Sequence, residues 1–201
     1  MRKLIISSII FFLTTMLYGQ EFKISLAPTI NSALLYRFVT GDTPGQNWKA
    51  GLSTSFDYLF LNDKKINFGL GINYHFSQVE FVPNPNTGDM VLHTENVNLI
   101  SLRFRTVYIL KNHFYISLDP AFDLHISHDE QQMLDNQSGL GLSLGIGKNI
   151  KINDALLLNI EPKLWVHNIV PFHKESSPYR LTTIGLNFGL VFGQKSMSLL
   201  R

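Results

Sequence analysis

The sequence predicts an all-β fold, an eight-stranded antiparallel up-and-down transmembrane β-barrel, on three observations. From Phe22 onward, apolar and polar residues alternate with a period of two, which is the period of a β-strand. Every charged residue of the predicted strands falls on the same one of the two faces. Long and short connections alternate along the chain, as they do in barrels that cross the bacterial outer membrane.

Residues 1–19 predict a secretory signal peptide that is cleaved, so that 20–201 form the outer-membrane β-barrel domain. Arg2 and Lys3 give the positive start, and an apolar or small run follows from Leu4 to Leu17. This run is shorter than the roughly 20 residues that a helix needs to span a bilayer. No later segment is apolar for long enough to predict a membrane-spanning helix.

The composition excludes several classes of protein. The 201 residues include 17 basic and 15 acidic side chains, and this near balance gives no strong positive field for nucleic acid. The chain has no cysteine, which excludes a disulfide framework, a thiolate zinc site and a cysteine nucleophile. The sequence holds no phosphate loop, dinucleotide fingerprint or metalloprotease helix, so no cofactor or metal is predicted.

The first four strands are predicted over 22–38, 48–60, 66–76 and 100–110. The third is the clearest, because its even positions from Ile66 to Phe76 are all apolar and its odd positions are Asn, Gly or His. Aromatic residues such as Trp48 and Tyr74 stand near strand ends, where they would form bands at the membrane interfaces.

The last four strands are predicted over 114–126, 140–146, 156–166 and 184–192. The first of them, for example, sets Phe114, Ile116 and Leu118 against Tyr115 and Ser117. Proline recurs at equivalent places in three rising strands, at Pro28, Pro120 and Pro162. Because proline lacks an N–H donor, each is expected at a bulge or at a break in the ladder.

The chemistry of the two faces decides which one meets lipid. No even position in the eight predicted strands carries Asp, Glu, Lys or Arg, whereas ten odd positions do. The odd face also holds a run of small residues, Gly139, Gly141, Ser143, Gly145 and Gly147. A narrow barrel interior needs small residues beside large charged ones. On a water-facing strand, by contrast, so many glycines would only weaken the strand. The even face is therefore predicted to contact hydrocarbon.

The connections predict the orientation of the barrel. The long connections are 40–47, 83–90, 127–137 and 171–180, and the shorter ones are 62–65, 111–112 and 148–154. Outer-membrane barrels have short periplasmic turns and long outer loops. Both termini are therefore expected in the periplasm, with the four long loops outside.

The predicted interior contains an ion network, because a buried charge is tolerated only when it is paired. Its members are Lys49, Asp57, Arg103, Arg105, Asp119, Asp123, Glu161 and Lys163. Strands four and five are neighbours, so Arg103 and Arg105 are expected to pair with Asp119 and Asp123. We interpret the network as packing that fills the lumen; the alternative is a narrow path for ions or small solutes.

A second alternative is catalysis on lipid. His125-Ile126-Ser127-His128 resembles the His-x-Ser-Asn element of outer-membrane lipid A deacylases, with His128 where that family has asparagine. The resemblance implies His125, Ser127 and Glu130 as catalytic residues for acyl transfer.

The last strand resembles the terminal signal that the outer-membrane assembly machinery reads. Within Thr183–Phe192, a polar-x-Gly-x-x-aromatic-x-hydrophobic pattern is matched by Thr183, Gly185, Phe188 and Leu190. With the signal peptide and the eight strands, the chain resembles the OmpA-like and PorT-like families of small outer-membrane barrels. This resemblance implies an outer-membrane location, with outer-membrane lipid and the assembly machinery as partners. For the protein itself we expect a non-catalytic role. That role would be envelope structure, binding through loops, or membership of an envelope or secretion complex.

Overall fold

The computed structural model describes residues 21–35, 45–61, 65–82, 91–126, 133–153, 155–174 and 179–193. Eight antiparallel strands form a closed barrel in chain order, with the last strand paired to the first. The strands are β1 (Glu21–Leu35), β2 (Gly45–Leu61), β3 (Ile66–Val82), β4 (His93–Ile109), β5 (Phe114–His125), β6 (Gly139–Lys151), β7 (Leu156–Pro171) and β8 (Tyr179–Gly193). The predicted fold is confirmed.

The two ends of the barrel differ in their connections. The short connections β2–β3, β4–β5 and β6–β7 lie at one end together with the start of β1 and the end of β8. We call this the terminal end, and the opposite one the loop end. The β4–β5 connection is a single 3₁₀ turn, Lys111–His113, in which Asn112 has a φ of 57°. No helix in the described part of the chain is long and apolar enough to cross a membrane.

In the part of the strands nearer the terminal end, even positions point outward and odd positions point into the lumen. Ile24, Ile72 and Phe122 on the outside are 56%, 56% and 57% exposed, while Asp57 and Ser117 inside are fully buried. An outer surface this rich in exposed Leu, Ile and Phe is unstable against water and suits hydrocarbon. The barrel is therefore built to stand in a bilayer.

Five strands, β2, β3, β4, β7 and β8, run further toward the loop end than the alternation predicts. β3 continues to Val82, although the pattern of apolar even positions stops at Phe76. Past Phe76 the chemistry of the faces is exchanged, because Gln78 points outward whereas Val79 and Phe81 are buried inside. Such an exchange is expected where the barrel wall leaves the hydrocarbon and enters water, since the lumen is then the only apolar environment left.

The three prolines stand at breaks in the ladder. Pro28 is in register with Leu52 on β2, but β1 and β8 lack ladder pairs between Leu26 and Thr29. Pro120 and Pro162 likewise keep a partner in the ladder on one side only. The register of the strands is the same on both sides of these breaks, so proline removes ladder pairs without adding a bulge.

Candidate functional site

Small residues make room for charged ones in the lumen. A Cβ atom added to Gly71 would clash with Oδ1 of Asp57, and one added to Gly141 would clash with Oδ2 of Asp123. These glycines therefore let the carboxylates of neighbouring strands lie flat against the wall. The inward glycines are part of the charged site and not weak points of the sheet.

Seven charged side chains meet in the part of the lumen nearer the terminal end. We call them the lumen network: Lys23, Asp57, Arg103, Arg105, Asp119, Glu161 and Lys163. None of them is more than 3% exposed. They come from β1, β2, β4, β5 and β7, so the network connects opposite walls of the barrel.

Asp57 and Glu161 are the two centres of the network. Asp57 accepts hydrogen bonds from Nη2 of Arg103 at 2.7 Å and from Nη1 of Arg105 at 3.1 Å. Glu161 accepts from Nη2 of Arg105 at 3.0 Å and from Nζ of Lys23 at 2.6 Å. Arg105 therefore joins the two carboxylates, which lie on β2 and β7, across the lumen.

Asp119 completes the network on the β5 wall. It is paired with Lys163 and accepts a hydrogen bond from the hydroxyl of Ser143 at 3.3 Å. Ser117, two residues earlier on β5, donates to Oε1 of Glu161 at 2.6 Å. Each carboxylate thus has several partners, which is the arrangement that makes buried ions tolerable.

The arginine partners agree with the predicted ones in part: both arginines pair with Asp119, and neither is paired with Asp123 among the described ion pairs. The sequence predicts Arg103 and Arg105 against Asp119 and Asp123 across the β4–β5 hairpin. In the structure Asp119 lies 3.6 Å from Arg103 and 3.9 Å from Arg105, but the shorter ion pairs cross the lumen to Asp57 and Glu161. In a narrow barrel a long side chain reaches the opposite wall, so adjacency along a hairpin does not select the partner.

Asp123 and Lys49 lie apart from the seven. Asp123 accepts hydrogen bonds from Ser101 and from Nδ1 of His167, the latter at 3.1 Å. Lys49 lies at the loop end, where its ammonium pairs with Glu80 and its side chain is 35% exposed. Hydrogen bonds from Asn47 and Lys49 hold the pKa of Glu80 below its usual value. A register shift between Trp48 and Gly51 accompanies this change of partner.

A layer of aromatic rings lies in the lumen above the network, toward the loop end. The ring of His75 on β3 stands edge-on to Trp165 and His167 on β7, with centroids 5.3 and 4.7 Å apart. All three rings are buried. Because β3 and β7 are on opposite sides of the barrel, these rings fill the lumen from wall to wall.

The loop-end part of the lumen is apolar. Eight buried residues form the upper apolar cluster: Ala33, Val79, Phe81, Val97, Leu99, Leu134, Tyr179 and Leu181. Seven of them belong to strands, and Leu134 comes from the connection between β5 and β6. This cluster places a dry layer over the aromatic and charged layers.

The segment 133–138, which we call the cap segment, holds Leu134 in place. The carboxylate of Glu95 accepts hydrogen bonds from the main-chain N–H groups of Met133 and Leu134. The side chain of Gln137 donates to the carbonyl of Tyr179 at 3.3 Å and accepts from the N–H of Leu181 at 2.9 Å. The cap segment therefore lies against the loop-end part of the lumen, with Leu134 and Gln137 fully buried.

Gln137 occupies a gap in the barrel wall. The ladder between β7 and β8 ends at Val166 and Thr182, although both strands continue toward the loop end. β7 turns away at Asn168, whose φ is 53° and whose side chain is buried. The amide of Gln137 takes the place that a β7 peptide group would have beside β8.

The residues proposed for catalysis are only partly described. His125 ends β5, and its Nδ1 accepts the N–H of Gln137 at 3.2 Å. Ser127 and Glu130 lie outside the described residues, as does the predicted signal peptide. In the part of the chain that the structure describes, no group of three His, Asp or Glu side chains is arranged to hold a metal ion.

Sequence reasoning missed the cap segment and its partners. Glu95, Leu134, Gln137 and Asn168 all lie where the alternation of period two fails. The one local signal is Asn168, since asparagine adopts a positive φ more readily than most residues. Nothing in the sequence marks Gln137 as a buried residue.

No family model matches the chain, and no curated protein matches it. Solved structures do. OprG, an outer-membrane protein from Pseudomonas aeruginosa, is 13% identical with a TM-score of 0.51, over 87% of this chain and 96% of that one. Neisserial surface protein A is 12% identical with a TM-score of 0.46, over 86% and 96%. Ail of Yersinia pestis, in complex with the heparin analogue sucrose octasulfate, is 13% identical with a TM-score of 0.41, over 86% and 97%.

The likeness to OprG concerns the fold, and it agrees with the closed ring of strands and the exposed apolar face. The resemblance to the OmpA-like and PorT-like families stays a prediction from the sequence. Fold, face chemistry and structural likeness together identify the chain as an eight-stranded transmembrane β-barrel.

Proposed function

We propose that this chain is an integral protein of the bacterial outer membrane with a sealed lumen and a non-catalytic role. Its terminal end faces the periplasm and its loop end faces outward. In this role the barrel anchors the long connections at the membrane surface, where they bind other components of the envelope or of its surroundings.

The filled lumen is the observation that carries this proposal. The lumen network connects the walls at one level, the rings of His75, Trp165 and His167 fill the next, and the upper apolar cluster lies above them. At the terminal end a cavity of about 30 Å³ remains between Lys23, Arg105 and Tyr115, among others. That is room for about one or two water molecules and not for a continuous channel.

The geometry of His125 favours a role in packing over one in acyl transfer. A serine hydrolase needs Nε2 of its histidine free to accept the serine proton. Here Nδ1 accepts a main-chain N–H, so in the neutral imidazole Nε2 carries the proton and cannot accept another. This hydrogen bond supports a structural role for His125, in which it connects the cap segment to β5.

Conductance measurements test the sealed lumen. The full chain, refolded and inserted into planar lipid bilayers, is expected to give no stepwise conductance, while an open porin in the same bilayers does. Discrete steps from the purified protein would contradict the proposal.

The non-catalytic role has its own test. Deleting the gene is expected to leave the mass spectrum of lipid A unchanged, because no lipid-modifying activity is lost. An altered acylation pattern, restored by the native gene but not by a Ser127→Ala variant, would instead establish catalysis. Capture of partners by the intact barrel from mild detergent, with and without the loops, would then identify what the surface binds.

A further inference from the structure

The two ends of the barrel differ in charge as well as in the length of their connections. Five lysines and two aspartates occur in the three stretches at the terminal end, 62–65, 110–113 and 148–155. Six acidic residues and two lysine or arginine residues occur in the four connections at the loop end, 36–44, 83–92, 126–138 and 172–178. The sequence is therefore net positive at the terminal end and net negative at the loop end.

Four of the five lysines belong to the described residues, and we call them the basic rim: Lys65, Lys111, Lys148 and Lys151. All four are exposed. Lys65 precedes β3, and Lys111 lies in the turn between β4 and β5. Lys148 and Lys151 lie at the end of β6. Because β3 to β6 are consecutive in the barrel, the basic rim follows one side of the terminal end.

The ammonium of Lys148 shows where the basic rim lies relative to the bilayer. Lys148 is an outward position on β6, in register with Phe114 on β5 and Ile160 on β7. Its Nζ lies 4.9 Å from the centroid of the exposed Phe114 ring, so the charge is on the outer surface and not in the lumen. Aromatic rings near strand ends lie at the boundary between hydrocarbon and headgroups. The charge of Lys148 is therefore at the depth of the lipid phosphates.

The charges of the basic rim are not consumed by the protein itself. Among the residues that the structure describes, no carboxylate pairs with the ammonium of Lys65, Lys111 or Lys148. Glu21, which lies at the same end, is buried. A lysine side chain is long and flexible enough to turn its ammonium toward neighbouring headgroups.

Headgroup charge distinguishes the lipids that could lie beside the basic rim. Every phospholipid has a phosphate, but in phosphatidylethanolamine an ammonium on the same headgroup balances it. Phosphatidylglycerol keeps its net negative charge. The acyl chains of the two lipids are alike, so the apolar face of the barrel does not select between them. Clustered lysines do, because each one near the membrane surface adds to the attraction for anionic lipid.

We propose that the basic rim binds the headgroups of anionic phospholipids of the phosphatidylglycerol class, in the leaflet at the terminal end. The binding rests on the membrane insertion that the proposed function assumes, and it adds a lipid preference to it. The connections at the loop end have the opposite charge and repel the same lipid. Anionic lipid is therefore enriched around one end of the barrel only.

Quenching of a fluorophore in lipid vesicles tests this preference at a chosen place. The fluorophore is attached through Ile146→Cys, an outward position that is 57% exposed and lies two residues before Lys148 on β6. The full chain is inserted into phosphatidylcholine vesicles that contain a small fraction of brominated phosphatidylglycerol, or the same fraction of brominated phosphatidylcholine. Quenching then gives the local share of each lipid. About twofold enrichment of phosphatidylglycerol is expected, since one exposed ion pair is worth a factor of about 1.4–5.

Two variants of the basic rim separate its charge from its shape. Replacing all four lysines by glutamine is expected to abolish the enrichment. Replacing all four by arginine keeps the charge and is expected to preserve the enrichment. Far-UV circular dichroism checks that both variants are folded in the vesicles.

A second label on the same barrel is the control for position. Leu124→Cys places the fluorophore near the loop end of β5, on an outward residue that is 55% exposed. No enrichment of phosphatidylglycerol is expected there, because the basic rim is at the other end of the barrel.

Three outcomes would overturn the proposal. They are equal quenching by the two lipids beside Ile146, enrichment that persists in the glutamine variant, and equal enrichment beside Leu124. Failure of the native chain to insert into vesicles would instead contradict the proposed function, so the two failures are distinguishable.

Discussion

Glu161 holds more of the lumen together than any other carboxylate described. It accepts hydrogen bonds from Lys23, Arg105 and Ser117 while fully buried. Removing its charge leaves two cations with less compensation in a medium that solvates them poorly. At the scale of the residue, the stability of the barrel therefore depends on complete pairing and not on the number of ion pairs.

Glu161→Gln is expected to destabilise the folded barrel by about 3–5 kcal/mol, the cost of breaking a buried ion pair from one side. Urea unfolding in lipid vesicles measures the change. Glu80→Gln is the matched control, because its partner Lys49 is 35% exposed and stays solvated when the pair is lost, so the midpoint is expected to change little. Equal losses from both variants would contradict the role given to the lumen network.

A substitution at Gly71 tests whether the charged side chains of the lumen need a small residue beside them. Its missing side chain gives Asp57 the space in which it meets Arg103. Gly71→Ala is expected to cost about 1–3 kcal/mol, as overpacking of a dense interior does.

Gly45 supplies the comparison, because a Cβ there would meet Val82 at an ordinary 3.4 Å. The Gly45→Ala barrel should unfold at nearly the native urea concentration. If Gly71→Ala does the same, Asp57 has more freedom than the structure gives it.

The elements divide into those that the sequence predicts well and those that it does not. The alternation between Ile66 and Phe76 locates the lipid-facing part of β3, because there the wall has hydrocarbon on its outer side and the polar lumen on its inner side. Above Phe76 both the outer medium and the lumen change, so the same pattern no longer separates inside from outside. For that reason the sequence does not predict how far β2, β3, β4, β7 and β8 extend toward the loop end.

The cap segment could not be predicted, because its contacts are made between distant parts of the chain. Glu95, Gln137 and Leu181 lie on three different elements and have no shared period. The ion network is predicted in part. The odd sequence positions of its members place them in the lumen, but their ion-pair partners depend on how far each side chain reaches across it. Lys49 illustrates this limit, since the sequence predicts it in the interior network, whereas the structure pairs it with Glu80 at the loop end.

At the scale of the element, Gln137 is expected to hold β8 where the β7 ladder has ended. Gln137→Ala removes the acceptor of the Leu181 N–H, and amide exchange at Leu181 should accelerate about tenfold or more, since a buried donor without a partner costs about 1–3 kcal/mol. Hydrogen exchange followed by NMR in micelles measures this rate.

Gln78→Ala is the control for that measurement, because the hydrogen bond from Gln78 to Asn96 is exposed. It should leave the exchange of Leu181 at the native rate. Unchanged exchange in the Gln137→Ala protein would mean that β8 needs no support from the cap segment.

For the whole molecule, two environments determine which residues each face of the wall carries: hydrocarbon on the outside and a packed, charged lumen on the inside. The lumen network has four cations and three carboxylates, and Asp123 in the next layer supplies the fourth negative charge. A barrel with this interior is stable in a bilayer only because the exposed apolar face is covered by lipid. In water the same face would drive aggregation.

The orientation of the two faces is tested most directly by spin labels on single cysteines, which the absence of native cysteine makes straightforward. Labels at Leu102, Phe104 and Leu118 are predicted to collide with oxygen, which concentrates in hydrocarbon, and not with a water-soluble nickel chelate. Labels at the buried positions Ser101 and Ser117 are predicted to collide with neither. Collisions of the nickel chelate with the outward labels, in a protein that stays monomeric without detergent, would contradict the account.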